Sequence, residues 1–305
     1  MAPHEGHLSS RMRTRRLAVS AGAGAALSWG LAPTLAKWLA LDGLSLAFYR
    51  MWLGAAVTMV LLYLRGGRLT RECVLASVPG GLALVSDASL FFTAVKLTTV
   101  SNATVICSLI PVPILLVTPR MFGERVKLHD LGWVAAALGG VSLVVYGSSG
   151  TLNWSPKGDL LAVGSMLSFA AYFIASKRAR QSMGTLEYQS AMMLVGAIAV
   201  TPAALIFGTG LAMNSAGVAL GVGLLALVPS IGHLLMNWAH PHLELWVAAT
   251  LTSTMPVVAA LLALAVFKEP IVPWQMAGML VVVVAVVKIA MRTDQMKIGL
   301  TGHPS

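Results

Sequence analysis

The chain has 305 residues, 57% hydrophobic and only 10% charged, with a mean hydropathy of +0.81 and a net charge of +10. A water-soluble domain carries about 25% charged residues, so this composition excludes a soluble globular protein and implies many membrane crossings. The positive charge does not imply a nucleic-acid partner, because Lys and Arg fall in short clusters between apolar stretches.

Residues 1–16 hold four arginines and no apolar core, which predicts a solvated tail. Ten segments then offer the roughly 20 mostly apolar residues that a helix needs to cross a bilayer: 17–41, 44–64, 74–95, 99–118, 129–147, 158–177, 187–208, 216–238, 245–267 and 273–291. The first run is too long for a cleaved signal and leads into further spans. Turn chemistry separates them, as in Asp42-Gly43, Gly66-Gly67 and Gly208-Thr209-Gly210. Residues 148–157 read as a linker and 292–305 as a second polar tail. With the N-terminus cytoplasmic, sixteen Lys and Arg fall on the inside and four (Lys37, Lys96, Lys157, Lys268) outside. That bias predicts both termini inside. Cys73 and Cys107 show no pairing or metal spacing, and His240-Pro241-His242 lacks further ligands, so no metal is assigned. No phosphate-binding loop ending in Gly-Lys-Ser/Thr is present, so no nucleotide or other cofactor is expected.

A duplication organises these spans. Pro111 precedes Glu124 by thirteen residues across an aliphatic run, and Pro256 precedes Glu269 by the same interval, 145 residues later. Trp29 to Lys37 matches Phe169 to Lys177 at an offset of 140, and Ala94 matches Ala239 at 145. Each half holds five spans, an odd number, so the second half must enter the membrane upside down. The predicted fold is an all-α polytopic membrane protein of ten transmembrane helices, built as two inverted five-helix repeats over 17–147 and 158–291. Such builds place a substrate site near the midplane between halves.

The pattern Trp29-Gly30 with Lys37, Arg50 early in the second span, Pro111 with Glu124, and Pro256 with Glu269 resembles the drug/metabolite transporter superfamily, in its two-domain EamA type. The aromatic-rich first and sixth spans are similar to the YddG group. That resemblance implies a bacterial inner-membrane exporter of aromatic amino acids and other amphipathic metabolites. The sequence departs from the pattern where Phe169 replaces a second Trp and no arginine repeats Arg50. The halves should therefore contribute unequally to a site.

Within the spans, ionisable and aromatic residues carry the functional reading. Arg50 is about six residues inside its span; it either lines a cavity and meets a carboxylate, or reaches the outer interface beside Tyr49 and Trp52. Asp87 is the deepest acid and offers a partner for Arg50, a proton carrier or an amine ligand. His233 falls at the repeat position of Ala88, next to that of Asp87, as a packing residue or half of a proton-coupled site. Trp29, Phe91, Phe169, Tyr172 and Trp238 offer aromatic walls or simple helix packing. Trp38, Trp133, Trp154, Trp246 and Trp274 read as interfacial anchors. Pro33, Pro111, Pro113, Pro202, Pro229 and Pro256 interrupt spans, with Pro33, Pro111 and Pro256 the hinge candidates. Glu124 and Glu269 read as caps or braces for the next helix, with gating as the alternative.

The expected function is secondary export of a small solute, with amino acids the expected class. It proceeds by alternating access within membrane lipid, with proton coupling as an open alternative. An uncoupled facilitator and an intramembrane enzyme are the rivals. No HExxH, second mid-membrane acid or readable Ser–His pair supports catalysis, so the chain is not expected to be an enzyme.

Overall fold

The computed structural model describes residues 3–149, 155–267 and 271–299. In chain order the helices are α1 (Pro3–Gly30), α2 (Ala32–Trp38), α3 (Gly43–Leu64), α4 (Arg71–Leu97), α5 (Val100–Ser108), α6 (Pro111–Phe122) and α7 (Leu128–Ser149). The second half continues with α8 (Pro156–Ala179), α9 (Thr185–Phe207), α10 (Ala216–Ala239), α11 (Leu245–Leu251), a 3-10 turn (Thr252–Thr254), α12 (Met255–Phe267) and α13 (Pro273–Gly299). No strand occurs among the described residues. Among the described residues, nine stretches are long and apolar enough to cross a bilayer. The first expected span, 17–41, is divided between α1 and α2 and is not one of them. Trp154, Lys268 and Glu269 lie outside the described residues.

Proline divides three spans and leaves three others whole. Pro33 stands in the first turn of α2, and Pro111 opens α6. Pro256 follows the 3-10 turn that separates α11 from α12. At the first turn of a helix the missing N–H costs nothing, so each of these prolines starts a new segment rather than damaging an old one. Pro79, Pro202 and Pro229 sit inside continuous helices α4, α9 and α10, so the expected interruptions at Pro202 and Pro229 do not occur.

The packing repeats itself across the halves. α1 lies against α10 and α8 against α4, while α3 packs on α9 and α7 on α13. Exchanging the halves turns the first pair into the second and each of the last two into itself. Lys37 donates to the Thr98 carbonyl at 3.1 Å, and Lys177 to the Leu243 carbonyl at 2.8 Å. Each acceptor lies two residues before a broken span, so the two lysines serve equivalent places. Backbones come into contact where side chains vanish: a Cβ on Gly140 would stand 2.8 Å from the Gly278 carbonyl oxygen.

One sequence expectation needs correction here. Within the segment expected to be a tail, α1 begins at Pro3, and Arg15 is buried, donating to the Ala290 carbonyl at 2.9 Å. Trp246 is not an interfacial anchor; it is 2% exposed and packed in the core, whereas Trp38 and Trp274 remain well exposed.

Candidate functional site

A cavity lies between the halves. Its walls include Trp29, Arg50, Asp87, Phe91, Phe169 and His233, six of the eight residues singled out from sequence. Trp29 comes from the end of α1, just before the break, and is seated by Gly232, where a Cβ would stand 2.6 Å from its Nε1. That nitrogen donates to the Pro229 carbonyl at 3.1 Å. Phe169, its repeat equivalent, meets it edge-on with ring centres 5.3 Å apart. His233 lies 4.8 Å from the same indole. The matched aromatics therefore face each other across the seam between the repeats.

The polar side of the cavity is built from α3, α4, α8 and α10. Arg50 is 5% exposed, so it does not reach an interface, and its guanidinium lies 5.5 Å from the centre of the Phe92 ring. Its terminal nitrogen is 2.6 Å from His233 Nε2. Arginine only donates, so His233 accepts at Nε2 and carries its proton on Nδ1. That Nδ1–H points to the Tyr172 hydroxyl at 3.1 Å, and the hydroxyl donates to Asn237 Oδ1 at 2.9 Å. Asn237 in turn donates to Gln189 Oε1. One cation thus sets the direction of every hydrogen bond in a chain that runs from the cavity wall into the protein. Asp87, 9% exposed, accepts from Ser165 at 2.7 Å. No ion pair within 4.0 Å joins it to Arg50 among the described residues. Both charges line the cavity.

The chain matches the EamA-like transporter family model twice, over residues 16–146 and 156–291. The protein belongs to the EamA-like transporter family. It is a membrane transporter with two EamA domains in one chain. A crystal structure described only as "Crystal structure of protein" shares the fold, with a TM-score of 0.73 over 94% of this chain and 98% of that one, at 19% identity. No curated protein sequence matches the chain.

Two predicted site residues sit elsewhere in this EamA-like transporter. Tyr172 is fully buried behind the wall, stacked on Phe169 at 5.4 Å and bonded to His233. Trp238 does not line the cavity; it packs on His242 at 5.1 Å near the end of α10. Of the hinge candidates, Pro111 and Pro256 adjoin lining residues Ser108 and Met255 at the breaks, and Pro33 follows Ala32. Sequence reasoning missed Thr104, Cys107, Ser108 and Thr252, which line the cavity from the broken spans. Asn237 and Gln189 were also missed, although a carboxamide within an apolar span is a readable signal.

Proposed function

We propose that this transporter exports small amphipathic metabolites, with amino acids, including aromatic ones, as the substrate class. The single observation that carries the reading is the cavity wall, where one unsatisfied cation and one acid stand beside three aromatic rings. Arg50 Nε is buried without a hydrogen-bond partner, and a solute carboxylate supplies the acceptor it lacks. Asp87 takes the ammonium group of the same solute. Trp29, Phe91 and Phe169 hold an apolar or aromatic side chain by stacking and cation–π contact. The two domains form inverted repeats over 17–147 and 158–291, joined by the 148–157 linker, with both termini cytoplasmic in a bacterial inner membrane. They rock about the breaks at Pro33, Pro111 and Pro256 to expose the cavity to one side at a time.

Proteoliposomes preloaded with labelled phenylalanine, tryptophan or alanine test this. Saturable efflux that falls sharply in Arg50→Gln and Asp87→Asn is the expected result. Efflux equal to that of empty liposomes for every amino acid tried would remove the substrate assignment.

A second reading, uncoupled facilitation, has its own support. Both ring nitrogens of His233 are already engaged, by Arg50 and Tyr172, so this imidazole has no free site for a coupling proton. Flux that ignores an imposed pH gradient selects facilitation, and flux driven by the gradient selects proton coupling.

A further inference from the structure

Below the cavity the structure is filled, and the filling is polar where it need not be. Phe173 touches Phe169 at 4.9 Å and Trp29 at 6.4 Å on the cavity side. On its other side it meets His240 edge-on at 4.9 Å. His240 is 0% exposed, and neither ring nitrogen has a hydrogen-bond partner. Nearby, Gln189 Nε2 is buried and unpartnered at the end of the chain that starts at Arg50. Apolar side chains would fill this volume at lower cost. Buried polar groups without partners are rare, and a second state in which they are satisfied accounts for them here.

Beyond His240 a second hollow opens, with walls that include Glu124, Lys177, Gln181, His242 and Leu243. A tight cluster forms part of its wall. Both oxygens of Glu124 accept from the Leu245 amide, at 2.8 and 2.9 Å, and Glu124 pairs with Lys177. Lys177 also donates to the Leu243 carbonyl at 2.8 Å and lies over the Phe122 ring at 5.3 Å. Glu124 therefore fastens α11, the first segment of a broken span in the other half, rather than the helix that follows it. Arg180 stands at the same end, donating to the Asn237 carbonyl at 2.9 Å.

We propose that Tyr172, Phe173, Asn237 and His240 line the closed half of the solute route, and that the Glu124–Lys177 pair is the latch that keeps it shut. This rests on the transport reading above. When α11 is released, Phe173 withdraws and the orphan nitrogens of His240 and Gln189 become wetted. A carboxylate leaving Arg50 then meets His240, Lys177 and Arg180 in turn. His240 is a solute-contact residue of the open state only.

Cysteine labelling tests the route without any solute. In a Cys73→Ser/Cys107→Ser background, His240→Cys reacts slowly with a membrane-impermeant methanethiosulfonate from either side. Adding Glu124→Gln raises the rate about tenfold or more, and only from the face at which a Gln181→Cys control labels. An unchanged rate, or reaction from the opposite face, overturns the proposal. Should Glu124→Gln fail to fold, bridging Gln181→Cys to His242→Cys with a short bis-methanethiosulfonate gives a second readout. The bridge stops amino-acid flux and a reductant restores it; flux that continues through the bridged protein overturns the latch. Absence of flux before bridging indicts the transport reading instead, while the labelling result still judges the route.

Discussion

Gly232→Ala is the sharpest probe of how the cavity is held in shape. A Cβ there would stand 2.6 Å from Trp29 Nε1 and 3.0 Å from both Trp29 Cδ1 and Ser28 Cβ, against 3.4–4 Å for ordinary contact. The indole must retreat by about 1 Å, which stretches its 3.1 Å hydrogen bond to Pro229 and pushes it toward Phe169. Overpacking costs about 1–3 kcal/mol and the lost hydrogen bond about 0.5–1.5, while helix propensity returns about 1. The net is a destabilisation of roughly 0.5–3.5 kcal/mol. Gly223→Ala, on the same helix, is the control, because nothing lies within 4 Å of its Cβ. Only the propensity gain applies there, and that variant should gain up to about 1 kcal/mol. Thermal unfolding in detergent, followed by tryptophan fluorescence, reads both. Amino-acid binding should also weaken in Gly232→Ala alone. If the two variants melt together and bind alike, Trp29 is not pinned between α10 and the cavity, and the site geometry argued above is wrong.

Other perturbations have equally definite outcomes. Arg50→Gln removes a charge-assisted hydrogen bond to a solute carboxylate, worth about 1.5–3 kcal/mol, so affinity for an amino acid should fall about tenfold to a hundredfold. The corresponding amine, which has no carboxylate, should bind the variant and the parent alike; equal losses for both would point to a collapsed cavity. Cys107 lines the cavity and Cys73 does not, so saturating solute should slow maleimide reaction at Cys107 only. Protection of both thiols, or of neither, contradicts the placement. Asp42 caps α3 through Leu44 and Ser45 and also accepts from Thr209 of the other half. Burial alone would raise its pKa, but the hydrogen bonds from Ser45 and Thr209 outweigh it and lower the value from 3.8 to about 2. The folded value is depressed, so this stabilisation is complete above pH 3.8 and fades as pH falls toward 2. A melting curve of Asp42→Asn should therefore drop less between those pH values than that of the parent; parallel curves would remove Asp42 from the account.

Some of this was plain in the residues. Arg50, Asp87 and His233 announce themselves because ionisable groups inside apolar spans are expensive, and the matched Trp29 and Phe169 follow from the duplication. Trp246 and Trp238 show the limit. Both lie near span ends in the sequence, yet one is buried in the core and the other packs on a loop histidine. Glu124 was legible as a helix brace, but its partner is 121 residues downstream in the opposite half. Pro202 and Pro229 break the sequence pattern without breaking their helices.

The sequence by itself determined that the chain is a bundle of about nine to ten apolar helices and that one half repeats the other. Span length against bilayer thickness and the spacing of matched residues are one-dimensional quantities, and a string of residues holds them completely. Which face of each helix meets protein was decided by the tertiary structure alone. These spans are apolar all round, so depth along a helix can be read from position but direction around it cannot. That angle is what turned Arg50 toward His233 rather than Asp87, and Glu124 toward α11 rather than α7.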